Sequence, residues 1–141
     1  MAEHLPPERP DSFVGELTGL APVVLFSAAI PGQGGLNHFN EQWPDYWARL
    51  FAARNFTAID LFRLRIWSDP AVAWWYKQNL VLYVEDSILP RYPELAHHAA
   101  AEHPLPALIH PEPWQRVQRL SEPRIGRWLR MAPAVLRGSL A

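Results

Sequence analysis

Val23-Val24-Leu25-Phe26-Ser27-Ala28-Ala29-Ile30-Pro31-Gly32-Gln33-Gly34-Gly35 is the stretch on which the fold turns. Its first eight residues are apolar or small, partly β-branched and free of charge, which reads as a strand buried between layers, as in a parallel α/β sheet. The five that follow cannot continue a strand and form a loop by composition. Working outward, Pro10 suits the first position of a helix, where a missing N–H costs nothing, and Phe13, Val14, Leu17 and Leu20 then share one face. On the other side Trp43, Tyr46, Trp47, Leu50 and Phe51 recur at helical spacing, predicting a helix over 44–54 closed by Asn55 in the left-handed conformation. Residues 57–67 read as an edge strand, because Leu64 and Ile66 alternate with Arg63 and Arg65. Asp69-Pro70 opens a short helix carrying Val72, Trp74, Trp75 and Tyr76, and residues 80–84 suit a central strand. The last two strands, joined by about a dozen residues, are most simply antiparallel neighbours. The alternation of helices and strands argues for α/β.

The chain has 141 residues, 49% hydrophobic and 19% charged, with a net charge of -1. That is enough for one domain with a real core, and it gives no global field to draw nucleic acid or an anionic membrane. Without cysteine there is neither a disulfide framework, a thiolate nucleophile nor a Cys-ligated zinc. No apolar run has the length of a membrane span, and the first residues lack the pattern of a secretion signal, so a cytoplasmic protein is the default expectation. No repeat of 20–50 residues is present. Beyond Asp86 the composition changes to scattered prolines, histidines and an Arg-rich end. Residues 1–85 are therefore read as one partial domain and 86–141 as a mostly helical or irregular extension.

The order of these elements, with Ala2-Glu3-His4-Leu5-Pro6, the strand and loop of residues 23–35, His38, Asn40-Glu41-Gln42-Trp43, Trp74-Trp75-Tyr76 and Gln78-Asn79-Leu80, resembles the C-terminal half of a class I S-adenosylmethionine-dependent methyltransferase. The resemblance spans about residues 2–85 and, more loosely, the region to Trp114. It implies half of a Rossmann-like sheet, strands five, seven and six with flanking helices, in which strand seven lies between five and six. The cofactor-holding strand, Gly-rich turn and helix have no counterpart here, and the only Gly-rich loop does not open a helix directly. The family pattern around Glu3 resembles Glu-Val-Ala-Glu-His-Leu, with Met1 where Val would stand. The chain is thus expected to be a truncated or mis-started methyltransferase.

What the resemblance implies for chemistry is S-adenosylmethionine-dependent methyl transfer to a small-molecule acceptor. His38, Glu3 and His4 are then the catalytic candidates, and Ala2 and Glu3 the candidates for touching the cofactor. Asn40, Trp43, Trp75 and Tyr76 are the candidates for binding the acceptor. In some relatives an acidic residue and a Glu-His pair bind a divalent metal, but no metal is assigned here. Each residue also has a plainer reading. Glu3 and His4 could lie at a loose terminus, His38 could be an idle loop histidine, and Asn40 could be a turn or cap residue. Trp43, Tyr46 and Trp47 read by default as core, and Glu41 and Gln42 as residues before the next helix that favour its positive end.

The spacing of His97, His98, His103 and His110 matches no zinc pattern. The Arg-rich stretch of residues 114–137 reads as an amphipathic helix with a solvated face. The strand of residues 23–30 is expected to expose an edge that pairs with a second copy or a complementing chain. The alternative to an enzyme is a non-catalytic interaction module derived from a methyltransferase half.

Overall fold

The computed structural model describes residues 2–99, 105–113 and 115. The Arg-rich stretch of residues 114–137 therefore lies almost wholly outside the described residues, as does His103. The chain divides into two compact units, residues 1–110 and 111–141, and everything below concerns the first.

The elements run in the order α1 (Pro10–Leu20), β1 (Val23–Phe26), α2 (Pro44–Ala52), β2 (Phe56–Ile59), α3 (Trp74–Asn79), β3 (Val81–Glu85) and α4 (Pro93–Ala96), with single 3₁₀ turns at Ala2–His4 and Leu89–Arg91. α1 and α2 both begin with proline at the first helical position. Asn55, just past α2, has a φ of 59° and takes the left-handed conformation expected of it.

The three strands form one open sheet in the order β1-β3-β2. Both pairings are antiparallel, Val24 and Ala58 facing Tyr83 from the two sides. The strand read as central is central, but the sheet is antiparallel throughout, and the parallel character expected of the region is absent among the described residues. The coarse class, α/β with a three-stranded sheet and flanking helices, stands.

One sheet face carries Phe26, Val81, Tyr83, Phe56 and Ala58, and these pack with Val14, Trp47 and Phe51 of the helices into the core. Phe51 stacks on Tyr83 with ring centroids 3.7 Å apart, and Phe26 meets Trp47, Phe51 and Tyr83 edge-on or tilted at 5.0–6.0 Å. Such aromatic pairs add to the stabilisation of their buried area. α1 and α2 are joined by Arg54, which donates to the Asp11 and Leu50 carbonyls and pairs with the Asp11 carboxylate at 2.9 Å. Gly15 permits this approach, since a Cβ there would meet the Arg54 guanidinium at 3.3 Å. On the opposite sheet face Ile59 and Val84 are fully buried, whereas Val23 and Leu25 of β1 are 44% and 56% exposed.

Several expectations are corrected. Residues 23–30 are not buried on both faces. Only Val23–Phe26 is strand, with one side uncovered, while Ala28, Ala29 and Ile30 are buried outside it. Leu20 ends α1 at 82% exposure rather than on its apolar face. Residues 57–67 do not form one strand, because β2 ends at Ile59. The alternation beyond it is inverted, with Arg63 fully buried and Leu64 74% exposed. The cause is a turn closed by charge, in which the Arg63 guanidinium holds both oxygens of Asp60, at 2.8 and 2.6 Å. The same guanidinium donates to the carbonyls of Pro106, at 2.8 Å, and Gln78, at 3.4 Å. The short helix starts at Trp74, not at Asp69, whose carboxylate instead accepts from the Ala71 N–H in a tight turn. Trp43 is 42% exposed at the N-terminus of α2 and is not core, unlike Trp47 at 2%. No helix of the described residues is long and apolar enough to cross a membrane.

Candidate functional site

The chain leaves β1 through the buried Ala28, Ala29 and Ile30 and enters the loop of Pro31, Gly32, Gln33, Gly34 and Gly35. Gly32 and Gly34 have φ values of 79° and 72°, which glycine adopts without strain. These conformations turn two N–H groups inward onto one carboxylate. Glu41 accepts from the Gly32 N–H at 2.8 Å and from the Gly34 N–H at 3.0 Å. Its Oε1 also accepts from His38 Nδ1 at 2.8 Å. Glu41 was read as an acid at the start of α2; it is instead the anion that organises the loop. A pair of glycines nine and seven residues before an acid is the only sequence trace of this arrangement.

The Ala2–His4 turn lies against the same loop. The Glu3 carbonyl accepts the N–H groups of Phe39, at 2.8 Å, and Asn40, at 3.0 Å. Glu3 and His4 are thus anchored, not at a loose end. Ala2 is 1% exposed and belongs to the core, so its methyl group packs against protein and does not line a ligand surface. The Glu3 side chain is 13% exposed. Burial by itself raises a carboxyl pKa. Here it is outweighed by hydrogen bonds to the carboxylate, those from the backbone N–H groups of Glu3 and Ala29 among them, and the Glu3 carboxyl is held below its ordinary range.

Three of the sequence candidates therefore converge. Glu3 Oε1 lies 3.7 Å from His4 Nε2 and 4.0 Å from His38 Nε2. The two imidazoles meet edge to face with centroids 5.0 Å apart. Their tautomers follow from their other nitrogens. His4 Nδ1 faces the Asn37 carbonyl at 3.0 Å, and His38 Nδ1 faces Glu41. Each partner accepts only, so each Nδ1 carries a proton, and each Nε2 is turned toward Glu3. Gly35 makes room for this, because a Cβ there would lie 2.3 Å from His38 Nε2.

Such a set can take up a proton at His38 Nε2. It also matches the donor set of a divalent transition-metal cation, whose histidine ligands are oriented by an acceptor on the second nitrogen. One ligand atom from each of Glu3, His4 and His38 lies within 4.8 Å of the others. Three ligand atoms about 2.1 Å from one tetrahedral ion lie roughly 3.4 Å apart, so these three must draw together by up to about 1.4 Å to hold one. The sequence reading assigned no metal here.

Asn40 is the next neighbour. It is 4% exposed, its Oδ1 accepts from Gln42 Nε2 at 3.0 Å, and its Nδ2 is buried with no hydrogen-bond partner among the described residues. It caps no helix, since the residue before α2 is Trp43. On α3, Trp75 and Tyr76 are 43% and 46% exposed, while Lys77, Gln78 and Asn79 are buried. This helix is moored to the loop by Gln33, whose Oε1 accepts from Gln78 Nε2 at 3.0 Å, Asn79 Nδ2 at 2.7 Å and the Ile30 N–H at 3.3 Å.

Of the later histidines, His97 and His98 are exposed. His110 is buried against the Trp67 ring at 4.8 Å, and its N–H donates to Gln78 Oε1. They gather into no site among the described residues.

No family model, no curated protein and no solved structure matches this chain.

Proposed function

We propose that this chain is the acceptor-binding portion of an S-adenosylmethionine-dependent methyltransferase, acting on a small molecule. The observation that carries the reading is the convergence of Glu3 and His38 beyond β1, with His38 Nε2 4.0 Å from the Glu3 carboxylate. Removal of a proton from an oxygen or nitrogen acceptor needs a base whose charged form is stabilised. His38 supplies the base, Glu41 holds its Nδ1, and the Glu3 carboxylate lies beside its Nε2. Asn40 Nδ2, buried and without a partner among the described residues, offers a donor to an acceptor oxygen. An analogue lacking that oxygen would leave the donor unsatisfied and bind more weakly. The flat faces of Trp43, Trp75 and Tyr76 suit an apolar or conjugated acceptor.

The described residues do not fit S-adenosylmethionine itself. The Gly32 and Gly34 N–H groups, which a negatively charged or hydroxyl-bearing ligand would need, are held by Glu41. None of the described residues is therefore assigned to the cofactor, and the proposal covers acceptor and proton handling alone.

The second reading is a non-catalytic interaction module, favoured by the half-exposed Trp43, Trp75 and Tyr76. Calorimetric titration with a panel of small conjugated alcohols and amines separates the two. Saturable binding that His38→Ala abolishes supports the acceptor site, and the absence of heat throughout the panel supports the module. Loss of acceptor binding in His38→Ala with an unchanged circular dichroism spectrum would place the acceptor at this cluster.

A further inference from the structure

The two edges of the sheet differ. At the C-terminal end of β2 the outer edge is capped, since the Asp60 N–H donates to the His98 carbonyl and Ile59 bridges Ala99. Beyond β1 no strand is paired among the described residues. The ladder register tells which groups are left over. The Glu85 N–H donates to the Pro22 carbonyl at 2.8 Å, so Pro22↔Glu85 is a hydrogen-bonded position of the antiparallel ladder. By alternation Val24↔Tyr83 and Phe26↔Val81 are the next two such positions. Val23 and Leu25 occupy the intervening positions, and their N–H and C=O groups point to the open edge. No backbone hydrogen bond reaches them there among the described residues. The same two residues carry the exposed apolar side chains of β1, and Leu20 nearby is 82% exposed. From Leu17 through Asn37 the chain has no charged residue. The devices that usually blunt an edge, a lysine or an inward-pointing charge, are therefore missing.

We propose that the occupant of this edge is a second copy of the same chain, paired antiparallel through β1 about a two-fold axis at Val24. In that arrangement Val23 of each copy faces Leu25 of the other at a hydrogen-bonded position. Four N–H···O bonds satisfy all the outward groups of both residues, and the two sheets become one of six strands. An interface that pairs a patch with itself brings every charge against its own copy. A stretch free of charge meets that requirement without repulsion. The exposed Val23 and Leu25 side chains of the two copies then lie side by side on one face. The strand is short and the patch small against the roughly 1,600 Å² of a standard interface, so the dimer is weak and depends on concentration.

The test is sedimentation equilibrium of the chain from about 1 to 500 μM, with hydrogen exchange at the amides of Val23 and Leu25. The expected result is a reversible shift toward twice the 16.1 kDa mass, with slower exchange at those two amides as concentration rises. Leu25→Lys is expected to raise the dissociation constant at least tenfold, and Val23→Lys to do the same, with the far-ultraviolet spectrum unchanged. A monomer throughout the range overturns the proposal. So does a dimer that Leu25→Lys and Val23→Lys leave intact, or one whose Val23 and Leu25 amides exchange as in the monomer. None of these results depends on S-adenosylmethionine binding.

Discussion

Replacement of Arg63 by Met removes a fully buried guanidinium and leaves its partners in place. The loss has three parts. The Asp60 carboxylate, 20% exposed, forfeits both hydrogen bonds of the bidentate pair. The Pro106 carbonyl loses a 2.8 Å donor and the Gln78 carbonyl a 3.4 Å one. Breaking one partner of a buried ion pair costs about 3–5 kcal/mol, and the residual hydration of Asp60 sets the expectation at the lower end, ~3 kcal/mol. With a urea slope of about 1.5 kcal/mol per molar, the unfolding midpoint falls by roughly 2 M. Circular dichroism at increasing urea reads it. Arg63→Lys keeps the charge but not the fork and is expected to lose about half as much. Asp60→Asn added to Arg63→Met removes the stranded carboxylate and is expected to recover part of the loss. A midpoint within about 0.5 M of the parent for Arg63→Met would refute the assignment of this side chain as the staple of its region.

Glu41→Ala deprives the Gly32, Gly34 and His38 donors of their acceptor, with an expected cost of about 1–2 kcal/mol and faster amide exchange at Gly32 and Gly34. Gly35→Ala drives a methyl group into the His38 ring. Cobalt(II) binding, followed by its visible absorption bands, is expected to weaken at least tenfold, and urea stability to fall by about 1–3 kcal/mol, because alanine is strained at the φ of 157°. The Tyr83 hydroxyl is pushed up in pKa, first by burial, with Arg63 opposing and Asp45 reinforcing the shift. The folded chain therefore keeps the phenol proton where the unfolded chain, with an ordinary pKa of about 10, has lost it. Stability falls as pH rises past that value, and Tyr83→Phe is expected to flatten this alkaline limb in urea titrations at pH 9–11.

Local signals in the sequence located most of the elements. Proline at the first turn and apolar residues at helical spacing placed α1 at its observed bounds, and a run apolar on both faces marked β3 as central. The failures have a common origin. Arg63, Leu64, Arg65 and Ile66 alternate as a strand does, but the choice between strand and turn was made by Asp60, three residues before Arg63, and by carbonyls 15 and 43 residues away. Period-two patterning cannot see such partners. The candidate site was legible by residue type at Glu3, His4, His38 and Asn40, all of which the structure brings together. The role of Glu41 was not, because it depends on two glycines with positive φ that turn their amides toward it.

Gln33 ties together two parts of the molecule that the chain keeps 45 residues apart. One amide oxygen receives Gln78, Asn79 and the Ile30 N–H. The helix bearing Trp75 and Tyr76 and the loop leading to His38 thus share a mechanical coupling. Neither can travel far without giving up hydrogen bonds from the buried Gln78 and Asn79 amides, and a stranded buried amide is expensive. A molecule that pries the aromatic helix outward also slackens the segment presenting His38, and Gln33→Leu would let the two move separately.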